Sequence, residues 1–129
     1  MKEKIILDPH FRRMSNLFSA EDLQRLHAVA EVIWAKDEPM PEEEIEKVRH
    51  EVVAVIASGW RYGDLARFPK LRAILEVSGG FPSPQSLDYP TCFARGIRVL
   101  SCAPAFGPAV AEMGLGLALA CARQITWTD

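Results

Sequence analysis

The sequence predicts an α/β domain built on a five-stranded parallel sheet with helices on both faces. Three observations carry this reading. Short runs rich in Ile, Val, Leu and Ala recur along the chain. Segments with helical spacing separate them, and Gly or Pro marks many of the joins. Strands that alternate with helices imply right-handed crossovers, which place neighbouring strands in parallel. At 129 residues the chain has the size of one domain and can bury roughly two-thirds of its unfolded surface.

The elements follow in order. Lys4–Asp8 (KIILD) reads as a buried strand. Ser19 is placed to cap a helix whose first turn carries Glu21 and Asp22, and Leu23, Leu26 and Ala30 share one face. Glu31–Ala35 is a second strand. Pro41 and the acids after it open the helix of MPEEEIEKVRH. Val52–Ala57 is an almost unbroken β-branched run, as in a strand covered on both faces. A short helical segment at Gly63–Phe68 precedes a fourth strand, Leu71–Ser78, and a helical segment at Ser86–Ala94 precedes a fifth, Ile97–Ser101. A closing helix is expected from Pro108, with Glu112 in its first turn. Residues 1–107 would then form the domain, and residues 108–129 a helical extension. From Met113 to Ala122 every residue is apolar or glycine. That run has about half the length of a membrane span, so a buried helix is expected, with Gly114 and Gly116 as close-packing positions.

Composition narrows the function. The net charge is −2 and no basic stripe is present, which argues against nucleic acid. The start of the chain lacks the charged-then-apolar pattern of a signal peptide, and no membrane partner is expected. Cys92, Cys102 and Cys121 are far apart, with no C-x-x-C pair. They read as small buried hydrophobes in a reducing, cytoplasmic setting, and no metal site is expected. His27 and His50 fall on helices and read as surface residues.

In a five-strand doubly wound sheet of the flavodoxin-like, three-layer kind, ligands lie beyond the carboxyl ends of the strands, near a topological switch point. The loops of interest therefore follow Asp8, Ala57, Ser78 and Ser101. The first, DPHFRRMSN, lacks the glycines and hydroxyls of a phosphate cradle, and His10 reads as solvated. The strand ending in Ala57-Ser58-Gly59 offers no aspartate to accept a phosphoryl group. In the second loop, Trp60 has two readings, a pocket wall or a cover for the sheet edge. Arg61 reads as solvated or as the partner of a carboxylate. The third loop, SGGFPSPQSLDY, places two glycines straight after a strand, where bare amides can converge on an anion.

The stretch from Phe68 to Ile125 resembles the N-terminal part of the D-isomer-specific 2-hydroxyacid dehydrogenases. The ordered matches are Pro69, Leu71 and Ile74; Ser78–Gly80; Leu87-Asp88; Ala94, Arg95-Gly96-Ile97 and Val99; Pro104; Val110-Ala111-Glu112; and Arg123 with Ile125. The chain departs from the family at several points. It has Ser-Gly-Gly where the family has Gly-x-Gly, and a longer gap to Leu87-Asp88. Ser101-Cys102-Ala103 stands where an asparagine is common, and Met113 where a histidine often follows V-A-E.

The resemblance implies a flavodoxin-like substrate domain followed by a long interdomain helix. It implies hydride transfer between a 2-hydroxy acid and NAD or NADP, held mainly by a Rossmann domain. No G-x-G-x-x-G motif after a strand occurs in these residues, so the chain is expected to be the substrate portion alone. No catalytic residue is assigned, and Glu112 is not the family's catalytic glutamate. By resemblance, Ser78, Gly79 and Gly80 bind the substrate carboxylate, Gly79 also approaches the nicotinamide, and Phe106 lines the pocket. Phe81 and Trp60 are expected to add apolar walls. The isolated chain is expected to be inactive, and to form a homodimer or domain swap through Ala109–Ile125. The alternatives are a stand-alone small-acid binding or regulatory module and an oligomerising fragment.

Overall fold

The computed structural model describes residues 1–125. Residues 126–129, the end of the expected helical extension, lie outside the described residues. Five strands form one parallel sheet: β1 (Glu3–Asp8), β2 (Ala30–Trp34), β3 (Val52–Ala57), β4 (Ala73–Glu76) and β5 (Arg98–Ser101). Their order across the sheet is β2-β1-β3-β4-β5, the flavodoxin-like order. The helices are α1 (Met14–Leu17), α2 (Ala20–Val29), α3 (Glu42–Val48), α4 (Tyr89–Ala94) and α5 (Ala103–Ala122), with a 3-10 turn at Leu65–Arg67. The fold class read from the sequence is the observed one.

Side chains alternate across the sheet. Ile6, Val55 and Ile74 project into the main core beside Met40, Ile45, Tyr62, Leu65, Phe68, Leu87, Cys92 and Ile97. Trp60, Tyr62 and Phe68 meet edge-on at ring separations of 5.1–6.1 Å, the geometry their quadrupoles favour. The opposite face is more thinly covered. Ile5 and Leu7 are buried, but Ile56 and Leu75 are only half-buried and Leu100 is exposed.

Local signals explain most element ends. Ser19 caps α2 by accepting from the Asp22 amide, as its sequence position implied. Pro41 caps α3 from just outside rather than opening it from within. Asp88 caps α4, accepting from the Thr91 amide at 3.1 Å. At the other end of α4, Gly96 (φ +67°) donates to Phe93 O, and Ile97 donates to Cys92 O. That paired closure turns the chain directly into β5. Gly96→Ala is expected to cost about 1 kcal/mol, because the left-handed backbone penalises a Cβ even where nothing lies within 4 Å of it. Gly114→Ala, also in open space but inside a helix, should stabilise by about 0.5–1 kcal/mol; urea titration of the two variants checks both values.

The C-terminal helix corrects several expectations. It begins at Ala103, not near Pro108, and Pro104 takes the first-turn position. Glu112 therefore lies mid-helix, and no acid occupies the first turn. The helix is not buried: Val110, Met113, Leu115, Leu117 and Leu119 are 56–66% exposed. It is 20 residues long, and by length and composition alone it reaches what a membrane span requires. The ten-residue run suggests half that, because it stops at Glu112 and leaves out the small and apolar residues of the helix before it. An added Cβ at Gly114 or Gly116 meets nothing within 4 Å, so close packing there needs a partner outside the described residues. Cys121 is exposed and Cys102 half-buried, whereas Cys92 is buried as expected.

Candidate functional site

The strand order reverses between β1 and β3, and there Asp8 closes β1 opposite Ala57 of β3. The side chain of Asp8 is fully buried. Its Oδ1 accepts from the Met40 amide at 3.1 Å, and its Oδ2 accepts from the Tyr62 hydroxyl at 2.7 Å and from Arg61. Arg61 also donates to Met40 O at 3.2 Å. Burial, reinforced by the Asp8 carboxylate, drives the Tyr62 phenol far above its ordinary pKa, so it stays a hydrogen-bond donor. The switch-point crevice, where a doubly wound domain would ordinarily take its ligand, is thus filled by the protein's own side chains. Arg61 does meet a carboxylate, and it is Asp8.

The next loop, after β4, is more open. Gly79 and Gly80 are exposed and Ser78 is half-buried. The Ser78 amide donates to Glu76 Oε1 at 3.2 Å, and the Gly80 amide to Ser78 Oγ at 3.3 Å. Among the described residues the Gly79 amide has no partner. Ser78 O accepts from the Cys102 amide at 3.0 Å, which fastens this loop to the start of α5. The Phe106 ring lies beside it: a Cβ built on Gly79 would stand 3.6 Å from Phe106 Cδ2. That separation is ordinary contact, and glycine keeps the backbone there bare.

The structure therefore brings Ser78, Gly79, Gly80 and Phe106 together. Phe81 lies elsewhere, in a shallow apolar groove with Pro84, Tyr89, Phe93 and Val99. Trp60 is 4% exposed and sits in the core, its indole N–H donating to Gly63 O at 2.8 Å. It packs against Tyr62 and Phe68 inside the core, after the central strand β3, and forms neither an open pocket wall nor a cover for an edge strand. His10, His27 and His50 are exposed. Burial pushes the Cys92 thiol up, away from thiolate chemistry.

Two residues of this region escaped the sequence reading, Tyr62 and Glu76. An Arg-Tyr pair after a strand that ends beside another ending in Asp is a usable signal. A glutamate between Leu75 and Val77 at the end of an apolar strand is another.

The fold and this loop define an α/β domain with an exposed glycine turn at the mouth of one parallel strand. Solved oxidoreductases share this fold. The chain is similar to a phosphoglycerate oxidoreductase from Rhizobium etli, at 32% identity and a TM-score of 0.71, over 96% of this chain and 38% of that one. It is also similar in fold to a 2-hydroxyacid dehydrogenase from Ketogulonicigenium vulgare Y25, at 22% identity and a TM-score of 0.64, over 98% of this chain and 38% of that one. No family model and no curated protein matches the chain. The chain matches a fragment of the D-2-hydroxyacid dehydrogenase family, as its sequence motifs indicated, and spans 38% of the length of these two structures.

Proposed function

We propose that this chain is the substrate-domain portion of an NAD(P)-dependent oxidoreductase that acts on the CH–OH group of a D-2-hydroxy acid, or reduces the 2-oxo acid. The observation that carries this reading is the exposed Gly79 amide, unpartnered among the described residues and set against Phe106 at the root of α5. A carboxylate is acceptor-only, and a bare amide with a neighbouring serine hydroxyl is a complementary donor set. In this role Gly79 and the Ser78 hydroxyl hold the acid group, and Phe106 shields one side of the carbon that reacts. A nicotinamide cofactor supplies the hydride chemistry when bound. The residues present fit only its nicotinamide end, at the bare backbone of Gly79; no phosphate-cradling G-x-G-x-x-G loop occurs in the sequence.

The groups that move the hydroxyl proton are assigned to a further portion of the protein, which α5 would join. The homodimer or domain swap through Ala109–Ile125 belongs to the same reading and is supported by the exposed apolar surface of that helix. The three free cysteines favour the cytoplasm.

Two measurements test the proposal. The purified 129-residue chain is expected to show no NAD-dependent turnover of 2-hydroxy acids above a heat-killed control. The source gene read past the codon for Asp129 is expected to continue in frame, with a strand, G-x-G-x-x-G and a helix within about 40 residues. A stop codon together with measurable 2-oxo acid affinity would favour the stand-alone binding module. A stop codon with no affinity would favour the oligomerising fragment.

A further inference from the structure

Glu76 ends β4 and is 4% exposed, yet no cation pairs with it among the described residues. Its two oxygens accept from two different loops. Oε2 takes the Gly59 amide at 2.5 Å, from the loop after β3, and Oε1 takes the Ser78 amide at 3.2 Å, from the loop after β4. Glu76 pairs with Ala57 in the last rung between these strands. Beyond that rung the Val77 amide still reaches Ala57 O, at 3.0 Å. Burying a carboxylate without a cation is costly, and an apolar side chain at the end of this strand would serve folding at less expense. What an apolar residue cannot do is accept two amides at once.

We propose that Glu76 is a positioning residue that sets the aim of the acid-binding loop, an inference that rests on the function proposed above. The carboxylate draws the Ser78 amide inward. The bond from Gly59 holds the carboxylate in turn, and the loop that carries Gly59 is anchored through Arg61 and Tyr62 to Asp8. With Ser78 turned in, the Gly79 amide is left as the donor that meets the substrate carboxylate. The expected nest of three amides is thereby reduced: Ser78 contributes its hydroxyl, and its N–H belongs to Glu76.

The test uses the 129-residue chain and pyruvate as probe. Glu76→Gln keeps the shape but only one acceptor oxygen, whereas Glu76→Ala removes both. In Glu76→Gln, one of the two amides, Gly59 or Ser78, is expected to exchange with solvent about tenfold faster, because a single hydrogen bond is lost. In Glu76→Ala both should do so. The pyruvate response of the Gly79 amide resonance should weaken several-fold in Glu76→Gln while cooperative unfolding is retained, a combination that a purely structural role does not produce. Should Glu76→Ala fail to fold, Glu76→Gln decides alone. Unchanged exchange, or unchanged pyruvate affinity in a variant that has freed an amide, overturns the positioning role. A wild-type chain that ignores pyruvate overturns the acid-binding reading itself, whatever the exchange data show about the tie between loops.

Discussion

Asp8→Ala is expected to unfold the domain about 10 °C below wild type, a loss of about 3 kcal/mol for a chain of this size. Three donors converge on this fully buried carboxylate: the Met40 amide, the Tyr62 hydroxyl and the Arg61 guanidinium. Removing the acceptor strands the first two in the core, and an unsatisfied buried donor costs more than the bond it made. The third donor contributes less than a buried pair would. The Arg61 side chain is 38% exposed, and water can solvate it once the pair is broken. Arg61→Ala is accordingly expected to cost only about 1 kcal/mol, since Asp8 keeps two of its donors and water can take the vacated place. Differential scanning calorimetry on the two variants separates these contributions. Equal losses would show that the ion pair, not the neutral donors, holds the crevice shut. A melting temperature unchanged by Asp8→Ala would show that water replaces all three contacts at no net cost.

The sheet was legible in the sequence because its strands are covered apolar runs, and β3 shows this best: Val52–Ala57 was read with the observed ends. Capping chemistry made α2 legible through Ser19. α1 has no local signal, since its N-cap Arg13 makes no side-chain bond and its first amide, of Met14, is met by the distant Asp37 carboxylate. The sequence places the start of α5 near Pro108, five residues late, because Gly107-Pro108 imitates a helix opening while Pro104 already occupies one. The bare turn after β4 is legible as Ser78–Gly80, since two glycines after a strand mark either a tight turn or a backbone open to a ligand. Its wiring is not. Glu76 and Asp8 act through partners 17 and 54 residues away, Gly59 and Tyr62; a glutamate at an apolar strand end and an Arg-Tyr pair mark the residues, but no local pattern names their partners. Trp60 shows the same limit from the other side: a large aromatic in a loop can wall a site or seal a core, and only the packing of Tyr62 and Phe68 around it decides.

The second large effect is expected on α5. A helix apolar on nearly all sides is stable in water only when covered, and among the described residues almost nothing covers this one: Val110, Met113 and Leu117, with Phe106, line a groove open to solvent. Burying a single Met or Leu side chain is worth about 1.5–3 kcal/mol. Two such residues on one stripe, replaced by Met113→Lys and Leu117→Lys together, should weaken self-association of the chain at least about 100-fold. Sedimentation equilibrium reads that change directly. The wild-type chain is expected to run as a dimer or larger, and the double variant as a monomer with an unchanged fold, because neither residue touches the main core. A wild-type chain that sediments as a clean monomer would remove the second copy as the cover for α5. Binding of a hydrophobic dye by that monomer would then leave the stripe to a further portion of the same protein, and partition of the wild-type chain into lipid vesicles would assign it to a membrane. The helix needs one of these surfaces.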